Sequence, residues 1–334
     1  MGNNNGIDFV MLWVDGNDPV WQVEKAKYSD ARGEDSKVIR YRDWDNLQYW
    51  FRGVEKYAPW VRKIHLVTCG QVPVFLNINH PKLNLVFHQD IIEEKYLPTF
   101  SSVAIESNIH KIKGLSEKFV YFNDDIFITS QLEEKDFFEN ELPCTNVTYE
   151  PIMPYANLDM TYIGNVISNL KVINKHYAGH KLGRKIEFNR KYSIRNKVKN
   201  LLIHPWIQYD FVGFHENHLT NSYLKSTFEE CWNAEREVLE QATSHRFRTS
   251  TDINQYLFKY WQICQGKIAP VNDYYLGKYF EITEDNSEIE KAILKQQYKI
   301  VCINDKETED FEFVKNRING CLQKVFPNKS EFEI

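Results

Sequence analysis

The sequence predicts an α/β fold, a mixed or mostly parallel sheet with flanking helices, from two observations, while length and composition set its size. Two apolar runs rich in β-branched and aromatic residues stop abruptly at acidic clusters, as buried strands of open sheets do at their carboxyl ends. Runs of this kind alternate with stretches of helical periodicity through the first half of the chain. The 334 residues, 43% hydrophobic and 14% aromatic, suffice for one large or two ordinary domains around a sizeable core.

The first strand, residues 7–14, runs Ile7-Asp8-Phe9-Val10-Met11-Leu12-Trp13-Val14 and closes on Asp15-Gly16-Asn17-Asp18-Pro19. Gly16 supplies permissive backbone, and Pro19 suits the first turn of a helix over residues 20–29. A polar loop follows through Asp35. Arg40-Tyr41-Arg42-Asp43 opens a second helical region in which Leu47, Phe51, Val54 and Tyr57 recur at helical spacing, and Pro59 closes it. Residues 63–68 and 83–87 read as the second and third strands. Ser101 or Ser102 caps a helix through Ile105, Ile109 and Ile112 that Gly114 ends. The next strand runs Phe119-Val120-Tyr121-Phe122, breaks at Asn123-Asp124-Asp125 and resumes as Ile126-Phe127-Ile128. Beyond it the signals are mostly helical: residues 224–240, a helix through Tyr256, Tyr260 and Ile263 capped by Asp252, strand-like residues 298–302, and a helix over 311–325.

Placed on parallel strands of one sheet, Asp15 and Asp18 share an edge with Asp124 and Asp125, where open α/β sheets bind ligands. Adjacent carboxylates repel each other, so their burial needs a cation or hydrogen-bond donors. A Mg²⁺ or Mn²⁺ ion on Asp124 and Asp125, holding substrate phosphates, is the simplest compensation. The alternative is a solvated turn built from Asp and Asn. No Walker A loop, GxGxxG or HExxH motif occurs. A net charge of −5 argues against a nucleic-acid partner. The six cysteines form no CxxC pair and read as reduced thiols of a cytoplasmic protein, and no apolar run reaches the roughly 18 residues of a membrane span. Residues 171–199 hold ten Lys and Arg against one acid, Glu187. They read as a solvated face or, more sharply, as a surface drawn to phosphate groups or to the anionic inner face of a membrane.

Residues 7–19 resemble the first conserved region of the Stealth family. Residues 40–127 resemble the second, through Arg42-Asp43, Ala58-Pro59-Trp60-Val61-Arg62, Leu97-Pro98-Thr99-Phe100-Ser101-Ser102 and Asn123-Asp124-Asp125. Residues 218–260 are similar to the third region, and residues 302–332, with Phe326-Pro327-Asn328-Lys329-Ser330, to the fourth. The family contains bacterial capsular-polysaccharide hexose-1-phosphate transferases and the animal enzyme that tags lysosomal glycoproteins with N-acetylglucosamine 1-phosphate. The resemblance implies a nucleotide-sugar-transferase-like core and transfer of a sugar 1-phosphate from a UDP-sugar donor to a glycan hydroxyl, with release of UMP. It puts the catalytic positions on Asn123, Asp125, His218 and Arg248. Trp13, Asp15, Gly16, Asp18, Arg42, Ser101, Ser102, Glu106 and Asn108 are read as substrate-binding.

The residue types suit that chemistry independently. Phosphoryl transfer is mainly positioning and charge neutralisation. Arg248 offers a planar fork to phosphate oxygens, and His218 titrates near neutrality, with Asp125 as a rival base. Each has a plainer reading, His218 as a core hydrogen-bonder and Arg248 as a surface ion-pair partner. The expected organisation is a donor-binding core at 1–142, a basic insertion at 143–217, a helical acceptor-side region carrying His218 and Arg248 at 218–280, and a segment at 281–334 that packs on the core. A metal-dependent glycosyltransferase releasing UDP and a non-catalytic carbohydrate-binding protein are the competing classes.

Overall fold

The computed structural model describes residues 6–29, 38–153, 159–207, 209–272 and 275–334. Its centre is β1 (Ile7–Leu12), buried along nearly its whole length because both sheet faces are covered. The acidic turn after it leads into α1 (Pro19–Tyr28), whose N-cap is Asp18 and whose first residue is the proline. Of the residues expected to open the second helix, Arg40 and Tyr41 end a single 3₁₀ turn, Val38–Tyr41, Arg42 and Asp43 follow it as loop, and α2 (Leu47–Tyr57) begins only at Leu47, with Leu47, Trp50, Phe51 and Val54 buried. Strands β2 (Ile64–Thr68) and β3 (Leu83–Phe87) follow as read from the sequence, then a short α3 (His88–Ile91).

The helix expected from Ser101 to Gly114 is interrupted. It comprises α4 (Ser102–Glu106) and a 3₁₀ turn, Ile109–Lys111. Ser107 Oγ and Asn108 Nδ2 bond back to the carbonyls of Val103 and Ala104, the local competition by which such side chains end helices. Strand β4 (Lys118–Phe122) then pairs with β1, with Val120 opposite Phe9, while Ile64 of β2 lies opposite Phe9 on the other side. After the Asn123-Asp124-Asp125 turn, β5 (Ile126–Ile128) leaves this sheet for another.

Short strands β6 (Phe138–Glu139) and β7 (Leu142–Thr145) precede the helical middle: α5 (Met160–Tyr177), α6 (Arg184–Glu187) and α7 (Ile194–Ile203). The residues read as one helix over 224–240 divide three ways. Leu224 ends β8 (Asn221–Leu224), and α8 (Lys225–Ala234) and α9 (Arg236–Ser244) meet at Glu235. Asp252 does not cap α10 (Tyr256–Cys264); its carboxylate accepts from Thr249 N and Oγ1 instead. All nine residues of α10 are buried, as expected of a helix packed on every side, and Lys259 among them is neutralised by Glu216 at 2.5 Å. The chain ends with β9 (Ala269–Pro270), β10 (Gly277–Glu281), α11 (Ser287–Leu294), β11 (Ile300–Asn304) and α12 (Phe311–Val325).

The main sheet has the order β3-β2-β1-β4-β8, with β1 to β4 parallel and β8 antiparallel to β4. A second sheet, β10-β11-β5, joins parallel and antiparallel pairs, and a small third one joins β6, β7 and β9. The period-two alternation of β4 separates two cores: Val120 and Phe122 pack with Phe9, Trp50 and Phe51, whereas Phe119 and Tyr121 pack with Val10, Tyr223, Phe228 and Phe258. Among the described residues no helix is long and apolar enough to cross a membrane, and all six cysteines are free.

Candidate active site

From β1 the chain builds outward to β2 and β3, then crosses back to lay β4 on the other side of β1. The topological switch point is therefore between β1 and β4, where the loops after the two strands diverge and leave a crevice. A cleft of about 1020 Å³ opens there, reached by Leu12 and Trp13 at the end of β1 and by Asn123, Asp124 and Asp125 after β4. His218 and Arg248 line the same cleft, so the four residues implied as catalytic share one space although they come from separate elements.

Asp125 is its most connected group. Its carbonyl accepts from Ile303 N of β11 at 2.8 Å, which pins the acidic turn to the second sheet. Its Oδ2 lies 3.2 Å from His218 Nε2 and 3.3 Å from the Cys302 thiol, while its buried Oδ1 has no hydrogen-bond partner. Burial works against a charged His218, but the Asp125 carboxylate outweighs it and the imidazole pKa is raised. Asn123 Nδ2 is 3.4 Å from the same His218 nitrogen, and the ring of Tyr279 meets the imidazole edge-on at 5.7 Å. Burial, then the Asp125 charge, push the Cys302 thiol well above its ordinary range, so it stays protonated and donates to Asp125.

The remaining acids of the cluster resist ionisation. Asp124 is open toward the cleft, yet the surrounding protein, then Asp125 and Asp43, push its carboxyl up to about 7. Asp43 is raised to about 6, first by burial. An unpartnered Asp125 oxygen beside two carboxyls that resist ionisation suits a hard divalent cation with oxygen ligands. The tightest ligand-type cluster among the described residues is Asp125, His218 and Cys302, with ligand atoms within 4.8 Å of one another, but its protonated thiol serves as a donor to Asp125.

Across the cleft, Arg248 Nη2 donates to Ser102 Oγ at 2.6 Å, and that hydroxyl donates to Glu106 Oε1 at 3.1 Å. Tyr121 and Gln255 N also donate to Glu106. Burial raises the Glu106 carboxyl and the Arg248 charge counters it. The buried Glu106 carboxylate, acting through the Ser102 hydroxyl, thus holds the Arg248 fork at the cleft wall.

Of the residues read as substrate-binding, Trp13, Arg42, Ser102 and Glu106 line the cleft. Arg42 is clamped there by Asp305, 2.7 Å from its Nε, and stacks on Phe311 at 3.9 Å. Asp15, Gly16 and Asp18 form the turn behind the wall. Asp18 caps α1 through Val20 N at 2.8 Å and accepts from Gln71 at 3.0 Å. Gly16 packs so closely on Tyr41 that a Cβ would fall 1.7 Å from its carbonyl oxygen. Ser101 and Asn108 are buried behind α4, with Asn108 held by Ala104 O, Thr243 and Lys111. Sequence reasoning passed over Asp43, Tyr279, Cys302 and Asp305. The signal for Asp305 was present: the strand read as ending at Cys302 continues to Asn304, so Asn304-Asp305 closes an apolar run with amide and acid as Asn123-Asp124 does.

Residues 6–33 match Stealth protein CR1, conserved region 1, and residues 40–145 match Stealth protein CR2, conserved region 2. Over 344 aligned residues the chain is 40% identical to the capsular polysaccharide phosphotransferase WcwK of Streptococcus pneumoniae, covering 100% of this chain and 99% of the relative. It is 42% identical over 339 residues to the receptor polysaccharide phosphotransferase WefC of Streptococcus oralis, with 99% and 100% covered. The exopolysaccharide phosphotransferase cps2G of Lactiplantibacillus plantarum is 36% identical over 333 residues, with 98% and 96% covered. The chain belongs to the Stealth family. As a Stealth protein it is a phosphotransferase enzyme. The two matched Stealth regions supply the β1 and β4 sides of the cleft, while His218 and Arg248 reach it from later elements.

Proposed function

We propose that this enzyme transfers a hexose or N-acetylhexosamine 1-phosphate from a UDP-sugar to a hydroxyl of a capsular or cell-surface polysaccharide and releases UMP. The observation that carries the reading is the convergence of Asn123, Asp125, His218 and Arg248 on one cleft at the β1/β4 switch point. Similarity to polysaccharide phosphotransferases along the whole chain supports the glycan acceptor.

In this reaction the acceptor oxygen forms a bond to the β-phosphorus of the donor, and the bond from that phosphorus to the bridging oxygen breaks. UMP leaves with the bridging oxygen. The acceptor hydroxyl proton passes to His218, and the Asp125 carboxylate at 3.2 Å stabilises the resulting imidazolium. Arg248, held by Ser102 and Glu106, takes the charge that accumulates on the transferring phosphoryl oxygens. Asn123 orients phosphate or hydroxyl without adding negative charge. Asp124 and Asp125 would hold Mg²⁺ or Mn²⁺, an ion that when bound would neutralise the donor diphosphate and make UMP a less basic leaving group.

The test is incubation of the purified protein with candidate UDP-sugars, a glycan acceptor and Mg²⁺, resolving UMP from UDP. Acceptor-dependent UMP that disappears with excess chelator is the expected result. UDP as the sole nucleotide product would establish attack at the sugar carbon and a glycosyltransferase instead. No nucleotide release with any donor would point to a carbohydrate-binding protein.

A further inference from the structure

Helix α7 has its polarity inverted. Its inward face is polar: Asn196 and Asn200 are buried, and Asn200 donates to the carbonyls of Val147 and Glu187 and accepts from Tyr149 N. Its outward face is apolar, with Ile194 80%, Val198 49%, Leu201 63% and Leu202 68% exposed. These four follow the i, i+4, i+7, i+8 spacing of a single stripe. Trp206, 70% exposed, and Tyr209, 74% exposed, lie just beyond the helix. A helix packed only against its own protein carries the opposite arrangement, and a continuous exposed apolar surface of this kind marks a contact with something else.

The charge around the stripe identifies that contact. Arg195 and Lys197 flank it on opposite sides of the helix, and Arg184, Lys185 and Arg190 belong to the neighbouring α6 region, whose Glu187 carbonyl bonds to Asn200. None of these five cations has an acidic partner among the described residues. Glu139 pairs with Lys191, Glu150 with Lys199 and His215, and Glu187 with His204, while Asp210, exposed beside Tyr209, sets a single negative charge at the end of the face. Apolar side chains and aromatic rings rimmed by unpaired Lys and Arg are what an interfacial helix presents to anionic lipid. A second copy of the chain fits poorly, because a two-fold contact would set this cationic rim against itself.

We infer that α7 and the turn bearing Trp206 dock on an anionic bilayer surface, with the stripe among the headgroups and Arg195 and Lys197 at the level of the lipid phosphates. The docking face is tied to the cleft. Asn200 fixes Tyr149, and Lys199 shares Glu150 with His215, which lies three residues before His218.

Flotation of the full chain with phosphatidylcholine vesicles, with and without phosphatidylglycerol, at low and high salt, tests the inference. Circular dichroism and size-exclusion chromatography would report fold and mass. The expected result is binding to the anionic vesicles that weakens with salt. Arg195→Gln with Lys197→Gln should lower affinity about 25-fold, roughly fivefold per cation. Leu202→Glu, or Trp206→Ser alone should the first variant misfold, should lower it about tenfold or more. Inorganic phosphate at millimolar concentration should not displace the protein. Failure of the wild type to float with anionic vesicles, equal binding by the variants, or displacement by phosphate would overturn the inference. So would a Leu202→Glu variant that halves the mass in solution, which would assign the face to a second copy.

Discussion

The residue that best separates charge from geometry is Arg248. Its fork is oriented by the Ser102 hydroxyl at 2.6 Å, which is in turn held by buried Glu106. Arg248→Lys keeps the positive charge and loses the planar pair of donors. The expected outcome is a fall in kcat of about 100-fold or more with a smaller change in KM, because donors matched to a developing phosphoryl charge act mainly in the transition state. Near-normal kcat in the Lys variant would show that charge alone suffices. Away from the cleft, His110 contributes to acid sensitivity. It is buried between the rings of Phe228 and Trp232, at 5.9 and 5.7 Å, and its Nδ1 has no partner. Burial, then Lys111 and Lys225, lower its pKa to about 3. The unfolded chain protonates this histidine near 6.5 and the folded chain only near 3, so stability is full above 6.5 and declines as pH falls between the two values. The limiting slope is about 1.4 kcal/mol per pH unit. Urea titrations at pH 7 and pH 5 should therefore show a steeper loss for the wild type than for His110→Gln, and equal losses would remove His110 as the cause.

At the scale of elements, the Arg248 turn is set by a close approach that only glycine allows. Gly164 lies in the first turns of α5, and a Cβ there would fall 2.1 Å from the Ser250 carbonyl oxygen and 2.7 Å from the Ser250 Cβ. Asn165 reinforces the contact by donating to Thr249 O at 2.7 Å. Gly164→Ala must push residues 249–250 off the helix and drag Arg248 with them. A fall in kcat of about 10- to 100-fold with little loss of helix signal is expected, the cost of a misplacement near 1 Å. Full activity in this variant would mean that the turn accommodates the methyl without moving Arg248. The elements that sequence made legible were those whose apolar pattern and punctuation agree. Strands β1 to β4 and helix α1 are of that kind, the last marked by Asp18 and Pro19. Strand β8 was not legible, because Leu224 runs without a break into the helical period of α8 and only pairing with β4 shows it as a strand. Cys302 was read correctly as part of a strand, but nothing local shows that its thiol meets Asp125, since the two are 177 residues apart and joined by sheet pairing.

At the scale of the whole molecule, strand order lay beyond the sequence, and it is the order that creates the cleft. Periodicity indicates that Asn123-Asp124-Asp125 ends a strand; only the return of β4 to the free side of β1 makes that end a switch point. The place of Asp43 among these acids was not legible for a related reason, although Arg42-Asp43 carries part of the family resemblance: it sits on a loop without periodicity and reaches the acids through the path of the chain. The same long-range closure governs stability. The last residues fasten to α2 and to the loop before β3: Phe332 packs on Phe51 at 5.3 Å, Asn77 N donates to Phe332 O, and Ile334 N donates to Phe75 O. The polar lock is Arg52 with Glu333, bonded at 2.8 and 2.6 Å, whose side chains are only 11% and 3% exposed. Arg52 also donates to Phe326 O, and Ser330 N to Glu333. Glu333→Ala leaves a nearly buried guanidinium without its counter-charge, so stability should fall by about 3 kcal/mol, with a Tm lower by several degrees. Because Glu333 does not line the cleft, donor binding below the transition should be unchanged. Arg52→Met with Glu333→Leu removes both charges and keeps the packing, so it should recover most of the loss. If the double variant melts as low as Glu333→Ala, the deficit comes from lost contacts of the segment rather than from an uncompensated charge.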